Sequence, residues 1–319
     1  MSDPGEAIGV DVGGSKILAV RTARDGGILD RNEAATPADD EEATMARMVE
    51  AATGLMTGEV VAVGVGAAGI VDVAHGVLRY APNLAWRDLQ IAERMGSALG
   101  VPCQLDNDAN VAAYAEFRFG AGRGYRHLLL VTVGTGIGGG IIADGRLFRG
   151  AHGFAAEIGH IVVEPLGPVC GCGNHGCWET VASGSAIGRL GREAARDDPG
   201  SVLARLAAGD PEAVTGAIVT RAALEGDPTA VGILGVAGTR LGIGIAGLVN
   251  VLDPEVVVVG GGAIAAGDLL LEPARVAFRD TVEGPAWRPS VPIVAAQLGP
   301  DAGAVGAAAL ALEELGHRP

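Results

Sequence analysis

Short apolar runs separated by glycine turns open the sequence, and the same arrangement returns near its middle. Ile8 to Val12 is followed by Gly13-Gly-Ser-Lys16 and a second apolar run, 17–20. Leu128 to Val133, the glycines of 134–140 and the pair Ile141-Ile142 repeat it. Apolar runs of this length bounded by glycine are typical of strands joined by a turn. The pattern predicts two related domains, each directing a glycine turn into one cleft.

The rest of the chain alternates between strand and helix patterns. Further strands are predicted at 60–65, 101–105 and 256–259, and helices at 40–57, 89–99, 107–119 and 302–315. Residues 183–250 have a mostly helical pattern, and the glycine-rich segment 120–124 is the candidate hinge. Alternating strands and helices indicate an α/β fold.

Composition and charge narrow the classes of partner. The 319 residues suffice for about two domains. A formal net charge of −15 argues against nucleic acid and anionic membranes as partners. The longest uncharged stretch near mid-chain, 128–143, is too short to cross a bilayer. The acidic N-terminus does not resemble a signal peptide. We therefore expect a cytoplasmic protein.

Three glycine clusters, at 13–14, 134–140 and 260–262, follow apolar runs and suggest phosphate-binding turns. Any one of them alone could be a plain hairpin turn. A Walker loop is excluded, because the only lysine, Lys16, is followed by Ile17. Residues 134–139 satisfy G-x-G-x-x-G, but a strand rather than a helix is expected next, so a dinucleotide site is not indicated. Asp11, just before the first turn, could serve Mg²⁺ directly or through water.

A polar cluster, Asp106-Asn107-Asp108-Ala109-Asn110, lies between a predicted strand and a predicted helix. Helix capping explains one such residue. Phosphoryl transfer to an alcohol needs a base near the hydroxyl, a role that Asp fills in kinases. We assign it to Asp108, with Asn107 holding a neighbouring hydroxyl.

Three cysteines, Cys170, Cys172 and Cys177, follow Glu157-x-x-His160 and precede Glu179. In a reducing compartment this spacing favours metal over disulfides, and three Cys with one His form a closed structural zinc set. His160 and His175 are both candidates for the fourth ligand, and closure from outside the cysteine loop favours His160. Such a zinc would hold Glu157, His160 and Glu179 as a rigid polar group for a polyhydroxyl ligand. A catalytic zinc is the rival interpretation, although these four ligands leave no open position. The remaining cysteine, Cys103, is expected to be inert core.

Taken together, these motifs resemble the ROK family of repressors, open reading frames and kinases, and most closely its bacterial glucokinases. The resemblance covers nearly the whole chain and is carried by Asp11 to Lys16, Ala81-Pro-Asn83-Leu, Asp106 to Asn110, Gly134-Thr-Gly136-Ile-Gly138, Glu157 to Glu179 and Val258 to Gly262. The Cys/His segment is the most specific of these motifs. Two departures are Ser15, where Thr is common, and Thr180-Val181, where Gln-Tyr is frequent.

The resemblance implies a two-domain actin-like, hexokinase-like (ribonuclease H-like) fold with a central cleft. It implies a smaller domain of 1–118 plus the helix 302–319, and a larger one of 119–301 with the zinc loop. Asp108 would be the base toward the 6-hydroxyl, and sugar contacts would come from Asn83, Asn107, Asp108, Glu157, His160 and Glu179. Zinc would bind His160, Cys170, Cys172 and Cys177. The Mg²⁺–ATP contacts would be Asp11, Gly13, Gly14, Ser15, Lys16, Gly134, Thr135, Gly136, Gly138, Gly261 and Gly262. Homodimers or homotetramers are usual in the family.

The expected activity is ATP-dependent phosphorylation of glucose at its 6-hydroxyl. Kinases for N-acetylglucosamine, N-acetylmannosamine, mannose or fructose are the alternatives, and polyphosphate is an alternative donor. The family's DNA-binding repressors carry a helix-turn-helix ahead of the first phosphate motif, where only about seven residues stand here. A non-catalytic sugar sensor would be expected to lose the base, and a nicotinamide enzyme is the most distant reading.

Overall fold

A computed structural model describes residues 5–81 and 86–316, so the predicted sugar contact Asn83 lies outside the described residues. The strands are β1 Glu6–Val12, β2 Lys16–Thr22, β3 Ile28–Ala35, β4 Val60–Ala67, β5 Ile70–Asp72, β6 Val77–Tyr80, β7 Arg87–Leu89, β8 Cys103–Asn107, β9 Leu128–Val133, β10 Ile137–Ala143, β11 Arg146–Leu147, β12 Val256–Gly260 and β13 Ile293–Ala295. The helices are α1 Glu41–Thr53, α2 Ile91–Leu99, α3 Asp108–Phe119, α4 Glu179–Ala182, α5 Gly184–Asp197, α6 Val202–Leu206, α7 Gly216–Leu224, α8 Pro228–Leu252, α9 Asp268–Thr281 and α10 Ala302–Gly316.

The first five-stranded sheet has the order β3-β2-β1-β4-β8. Strands β1 and β2 are antiparallel, and the turn between them is closed by the Gly13 N–H, which donates to the Lys16 carbonyl at 2.9 Å. Strands β1, β4 and β8 are parallel, with Asp11 opposite Gly66 and Gly66 opposite Asp106. Because parallel strands end at the same edge of a sheet, the carboxyl ends of β1 and β8 bring the predicted acidic residues to one edge.

The second five-stranded sheet, β11-β10-β9-β12-β13, has the same order of elements as the first. Strand β9 is parallel to β12, with Thr132 opposite Gly260, and β12 is parallel to β13. The glycine clusters at 134–136 and 261–262 therefore follow neighbouring strand ends. This confirms the predicted repeat of strand, glycine turn and strand. It also confirms that the G-x-G-x-x-G segment leads into a strand, β10, which begins at Ile137, and not into a helix.

Helix α10 packs against the first sheet through small residues. A Cβ at Gly9 would overlap the carbonyl of Ala304, and one at Gly64 would overlap the carbonyl of Ala307. Backbone can approach backbone this closely only where glycine leaves out the side chain. The face of α10 from Ala302 to Leu312 is buried, so the alanine-rich C-terminal helix is part of the first core.

The chain divides into two compact units. The first comprises the described residues of 1–126, 140–156 and 296–319, and the second those of 127–139 and 157–295. Contacts thus group the segments 119–126, 140–156 and 296–301 with the first unit, while the domain boundaries at 118/119 and 301/302 stay a prediction. The first unit also holds a small antiparallel sheet, β5-β6-β7, which the sequence pattern did not predict.

Helix α8 is the one helix among the described residues that is long and apolar enough to cross a membrane by length and composition. Half of its apolar window is buried inside the protein. It packs on α7 and α9 in the second unit, as a core helix of a globular protein does.

Candidate active site

Asp11 and Asp108 are two carboxylates at the same edge of the first sheet. Asp11 is the second-last residue of β1, and Asp108 is the first residue of α3, directly after β8. Burial raises the pKa of Asp11 to about 7, and the negative charge of Asp108 adds to the rise, while Lys16 opposes it. Burial also raises the pKa of Asp108. Hydrogen bonds from the Ala109 and Asp108 N–H groups and from the Asn107 side chain lower this pKa, but their effect is smaller than that of burial. A carboxylate with a raised pKa is the stronger base.

Asn107 is the N-cap of α3, as the capping alternative anticipated. Its Oδ1 accepts from the N–H groups of Ala109 at 2.9 Å and Asn110 at 3.3 Å, and its Nδ2 donates to the carbonyl of Gly69 at 3.1 Å. The side chain therefore fixes the first turn of the helix that begins with Asp108. A contact of Asn107 with a sugar hydroxyl stays a prediction.

Asp106 is a buried structural charge, only 1% exposed. Its Oδ1 accepts from the Asn107 N–H at 2.8 Å and from Asn110 Nδ2 at 2.9 Å. Its Oδ2 accepts from Arg149 Nε at 2.7 Å. Sequence reasoning missed Arg149, because no local pattern links two residues that lie 43 positions apart.

The turn after β1 is held by backbone and threonine contacts. Thr36 donates from its hydroxyl to the Gly13 carbonyl at 2.8 Å and from its N–H to the Ser15 carbonyl at 3.1 Å. The Lys16 ammonium lies 3.1 Å from the Glu33 carboxylate at the surface. On the other side of Asp11, a Cβ at Gly303 would come within 2.6 Å of the Asp11 carboxylate, so the start of α10 leaves room for that side chain.

The second unit brings the four predicted metal ligands together. The candidate ligand atoms of His160, Cys170, Cys172 and Cys177 all lie within 4.8 Å of one another. Cys172 Sγ lies 3.6 Å from Cys177 Sγ, and Cys170 Sγ lies 3.6 Å from His160 Nδ1. A tetrahedron with metal–sulfur distances of about 2.3 Å has edges of about 3.8 Å, so this set fits a zinc ion. The exposed His175 faces the Gly167 carbonyl at 3.3 Å instead.

The thiols of this cluster differ in their surroundings. A hydrogen bond from the Asn174 N–H lowers the pKa of Cys172 to about 7. Burial raises the pKa of Cys170 and that of Cys177. Only a thiolate is a metal ligand, and Cys172 is the thiol of this cluster whose pKa is lowered. All four cysteines of the chain, including the half-buried Cys103, are free of disulfides, and burial raises the pKa of Cys103 to about 12.

Two glutamates flank the metal ligands. Glu157 and His160 lie at the two ends of one 3₁₀ turn, in which the His160 N–H donates to the Glu157 carbonyl at 3.1 Å. Residues three apart on such a turn lie on the same side of it. Glu179 Oε1 lies 3.0 Å from Cys170 Sγ and 3.6 Å from His160 Nδ1. The structure thus brings His160 and Glu179 to the cysteine cluster, and it places the Glu157 backbone at the start of the 3₁₀ turn that ends with His160.

The glycine turn between β9 and β10 is bonded to the start of helix α5. The turn is closed by the Gly134 N–H, which donates to the Gly136 carbonyl at 3.0 Å. Helix α5 begins against it, because the N–H groups of Gly184 and Ser185 donate to the carbonyls of Gly134 and Thr135 at 2.8 and 3.3 Å. These bonds satisfy N–H groups that the first turn of a helix leaves without an intrahelical partner.

A cavity of about 930 Å³ lies in the second unit next to this turn. It is bordered by Gly134 and Thr135, by the starts of α5 and α7, and by Gly262 and Ala263. A Cβ at Gly134 or Gly262 would meet open space, and Gly261 has a φ of +84° that favours glycine. A ligand could therefore approach the backbone closely at two strand ends, in the manner of a nucleotide site.

Comparison with known proteins identifies the family to which the chain belongs. Residues 7–314 match the model of the ROK family. A glucokinase of Streptomyces coelicolor strain A3(2) is 42% identical over 312 residues, which are 97% of this chain and 98% of the relative. The crystal structure of a ROK family glucokinase from Streptomyces griseus in complex with glucose and AMPPNP is 43% identical with a TM-score of 0.89, and covers 97% of this chain and 100% of that one. The ROK hexokinase of Thermus thermophilus is 36% identical with a TM-score of 0.81, covering 98% of this chain and 100% of that one.

Matches of this length and identity define a sugar kinase of the actin-like, hexokinase-like fold. The chain belongs to the ROK family, and its similarity to curated glucokinases supports a hexose kinase.

Proposed function

We propose that the protein phosphorylates glucose at the 6-hydroxyl with ATP as donor. The observation that carries this proposal is a pair of carboxylates at one edge of the first sheet, Asp11 near the end of β1 and Asp108 directly after β8, with β4 between the two strands. The likeness to a glucokinase solved with glucose and an ATP analogue supports both the sugar and the donor. Kinases for mannose, fructose, N-acetylglucosamine or N-acetylmannosamine are the second candidates.

Asp108 is proposed as the general base. In phosphoryl transfer the protein mainly positions the reactants and stabilises charge, and an Asp accepts the proton of the attacking hydroxyl. The residue is partly exposed, and burial of the carboxyl group raises its pKa, which makes Asp108 a stronger base than an ordinary Asp. As the oxygen of the 6-hydroxyl bonds to the γ-phosphorus, its proton passes to the Asp108 carboxylate and ADP leaves.

Asp11 is proposed as the residue that would hold Mg²⁺, directly or through water. Its carboxylate fits this role, because burial and the neighbouring Asp108 make its negative charge costly in the absence of a cation. Bound Mg²⁺ supplies charge neutralisation for the phosphates of ATP. The turn residues Gly13, Gly14, Ser15 and Lys16 are proposed to face those phosphates.

The second unit is proposed to bind the nucleoside. The cavity of about 930 Å³ is large enough for an adenosine, and its lining is more apolar than polar. We assign the backbone of Gly134, Thr135, Gly136 and Gly138 to the phosphates and that of Gly261 and Gly262 to the adenosine side. A cavity of this kind favours ATP over polyphosphate, which has no base or ribose to fill it.

The cysteine cluster is proposed as a structural zinc site that supports sugar binding. His160, Cys170, Cys172 and Cys177 would hold the ion, and the three thiolates would be its anionic ligands. His160 presents Nδ1 to Cys170, which leaves Nε2 for a sugar hydroxyl. Further sugar contacts are assigned to Glu157 and Glu179 in the second unit, and to Asn107, Asp108 and Asn83.

The choice of hexose depends on the surroundings of Glu179. The Thr180 hydroxyl is used at the start of α4, where it donates to the Cys177 carbonyl at 2.7 Å, and the Val181 side chain is buried.

The test of the proposed substrate is a panel of kcat/KM values for glucose, mannose, fructose and the two N-acetyl sugars, each with ATP and with polyphosphate. We expect glucose with ATP to give the highest value. An N-acetyl sugar in first place would establish the second candidate, and no phosphorylation of any hexose would end the proposal.

We also propose that the protein is cytosolic and that it forms a homodimer or homotetramer. Four cysteines free of disulfides fit a reducing compartment such as the cytosol. The oligomeric state can be measured by sedimentation equilibrium of the purified protein.

A further inference from the structure

The buried Asp106, two residues before the proposed base, forms an ion pair with the half-buried Arg149. We propose that Arg149 is a positioning residue for phosphoryl transfer, and that it acts by holding Asp106 and, through Asp106, the turn that presents Asp108. The inference rests on the proposed function of Asp108. It concerns a residue that does not touch substrate in the proposed mechanism.

Asp106 binds one residue before Asp108 in the sequence and one after it. One oxygen, Oδ1, binds the N–H of Asn107, which immediately precedes Asp108, and the side chain of Asn110, which follows it by two residues. The other oxygen binds Arg149 Nε at 2.7 Å. A shift of the Asp106 carboxylate would therefore disturb the Asn107 backbone before the base and the Asn110 side chain after it. Among the described residues, Arg149 is the cation that is bonded to it.

The Asp106 carboxylate is buried and therefore needs partners within the protein. Asp106 is 1% exposed, so its charge depends on its hydrogen-bond partners rather than on water. Within the part of the chain that the structure describes, Arg149 Nη2 is also buried without a partner. The Nε of the same guanidinium is the atom that donates to Asp106.

Arg149 also begins a closed loop that leads to Glu157. The Ala155 N–H donates to the Arg149 carbonyl at 3.1 Å and closes residues 149–155 into a loop. Ala156, the residue before Glu157, has a φ of +70°, which is uncommon for alanine. Strain of this kind persists only where surrounding contacts enforce it. The same arginine therefore anchors the Asp108 turn by its side chain and the approach to Glu157 by its backbone.

The test compares Arg149→Ala, Arg149→Lys and the control Arg146→Ala under saturating hexose and ATP. Arg146 is an exposed arginine on β11, three residues from Arg149. We expect Arg149→Ala to lower kcat by about 10- to 100-fold, as small misplacements of reacting groups do, with KM for ATP within about 2-fold of wild type. Arg149→Lys, which keeps a charged donor, should recover part of kcat, and Arg146→Ala should match wild type. A folded Arg149→Ala enzyme with wild-type kcat would overturn the proposal, as would a change confined to KM.

A second variant decides the matter if Arg149→Ala does not fold. Asp106→Asn with Arg149→Met removes both charges and leaves no uncompensated ion. We expect it to fold, by circular dichroism, and to keep the low kcat. Wild-type kcat in this variant would overturn the proposal.

The wild-type enzyme separates this inference from the proposed function. If wild type prefers another hexose to glucose, the same kcat ratios are measured on that hexose. Failure of glucose phosphorylation by wild type therefore rejects the proposed substrate, whereas full activity of the Arg149 variants rejects the positioning role.

Discussion

The Glu179 carboxylate occupies the space in which a side chain at Gly136 would begin. A Cβ built on Gly136 would overlap Oε2 of Glu179, while Oε1 of the same carboxylate lies 3.0 Å from Cys170 Sγ. One glutamate therefore connects the cysteine cluster with the glycine turn between β9 and β10. The two motifs, separate in sequence, form one structural element of the second unit.

Gly136→Ala should displace Glu179 and weaken sugar binding. The added methyl group would push the carboxylate away from its position, so we expect KM for glucose to rise by about 10-fold or more, in line with the loss of one charged hydrogen bond. The control is Gly247→Ala on α8, where a Cβ meets open space. Steady-state kinetics of both variants provide the measurement, and an unchanged KM in Gly136→Ala would show that Glu179 has no role in the sugar site.

Zinc removal should lower both stability and sugar affinity. The three thiols and the imidazole lie close together, and without the ion they would lack the metal that holds them there. The binding free energy of a structural zinc ion also contributes directly to folding. We expect one zinc per chain by elemental analysis. Stripping it with a chelator should lower the melting temperature and raise the Kd for glucose, and added zinc should reverse both. Purified enzyme that is fully active with no bound metal would contradict this assignment.

The raised pKa of Asp11 predicts a pH dependence of stability. Between the ordinary carboxyl pKa of about 4 and the folded value of about 7, the folded state binds more protons than the unfolded state. The free energy of unfolding should therefore fall as pH rises through this window. Asp11→Asn removes the group and should flatten the slope. Urea unfolding from pH 4.5 to 7.5 in magnesium-free buffer measures both, and parallel slopes would mean that Asp11 is not perturbed.

Glu116 is expected to be a stability residue near the predicted hinge. It is 1% exposed, and its oxygens accept N–H groups of Ala121 at 2.8 Å, Gln297 at 2.9 Å and Leu298 at 2.8 Å. Glu116→Gln turns one acceptor into a donor that faces another donor, so we expect a loss of about 1–3 kcal/mol in the free energy of unfolding. The exposed Glu50→Gln is the control. Equal midpoints in urea for both variants would refute the role.

Much of the fold followed from local pattern, because glycine turns between apolar runs specify hairpins. Strands β1, β2, β9 and β10 were predicted in this way, whereas β12 was predicted from a short apolar run and α2, α3 and α10 from their helical patterns. Strand β3 was missed because it is a largely exposed edge strand of mixed polarity, ILDRNEAA, without an apolar face. The small sheet β5-β6-β7 was missed because its strands have only three or four residues.

Fewer features of the candidate site than of the fold could be predicted from the sequence. The metal ligands share a short segment with a characteristic spacing, so they could be read together. The sequence assigns the base to Asp108, but only the fold shows that Asp106 of the same cluster is buried and bonded to Arg149. No sequence pattern indicates a role for Arg149, because only the tertiary structure brings it to its partner Asp106.

The most direct measurement is the kcat of Asp108→Asn compared with wild type, together with the Kd for glucose by calorimetry. Asp39→Asn, an exposed aspartate outside the site, is the control. If Asp108 is the general base, kcat should fall by about 10²- to 10⁴-fold, glucose should still bind, and the control should be unaffected. An Asp108→Asn enzyme that turns over at the wild-type rate would contradict the account.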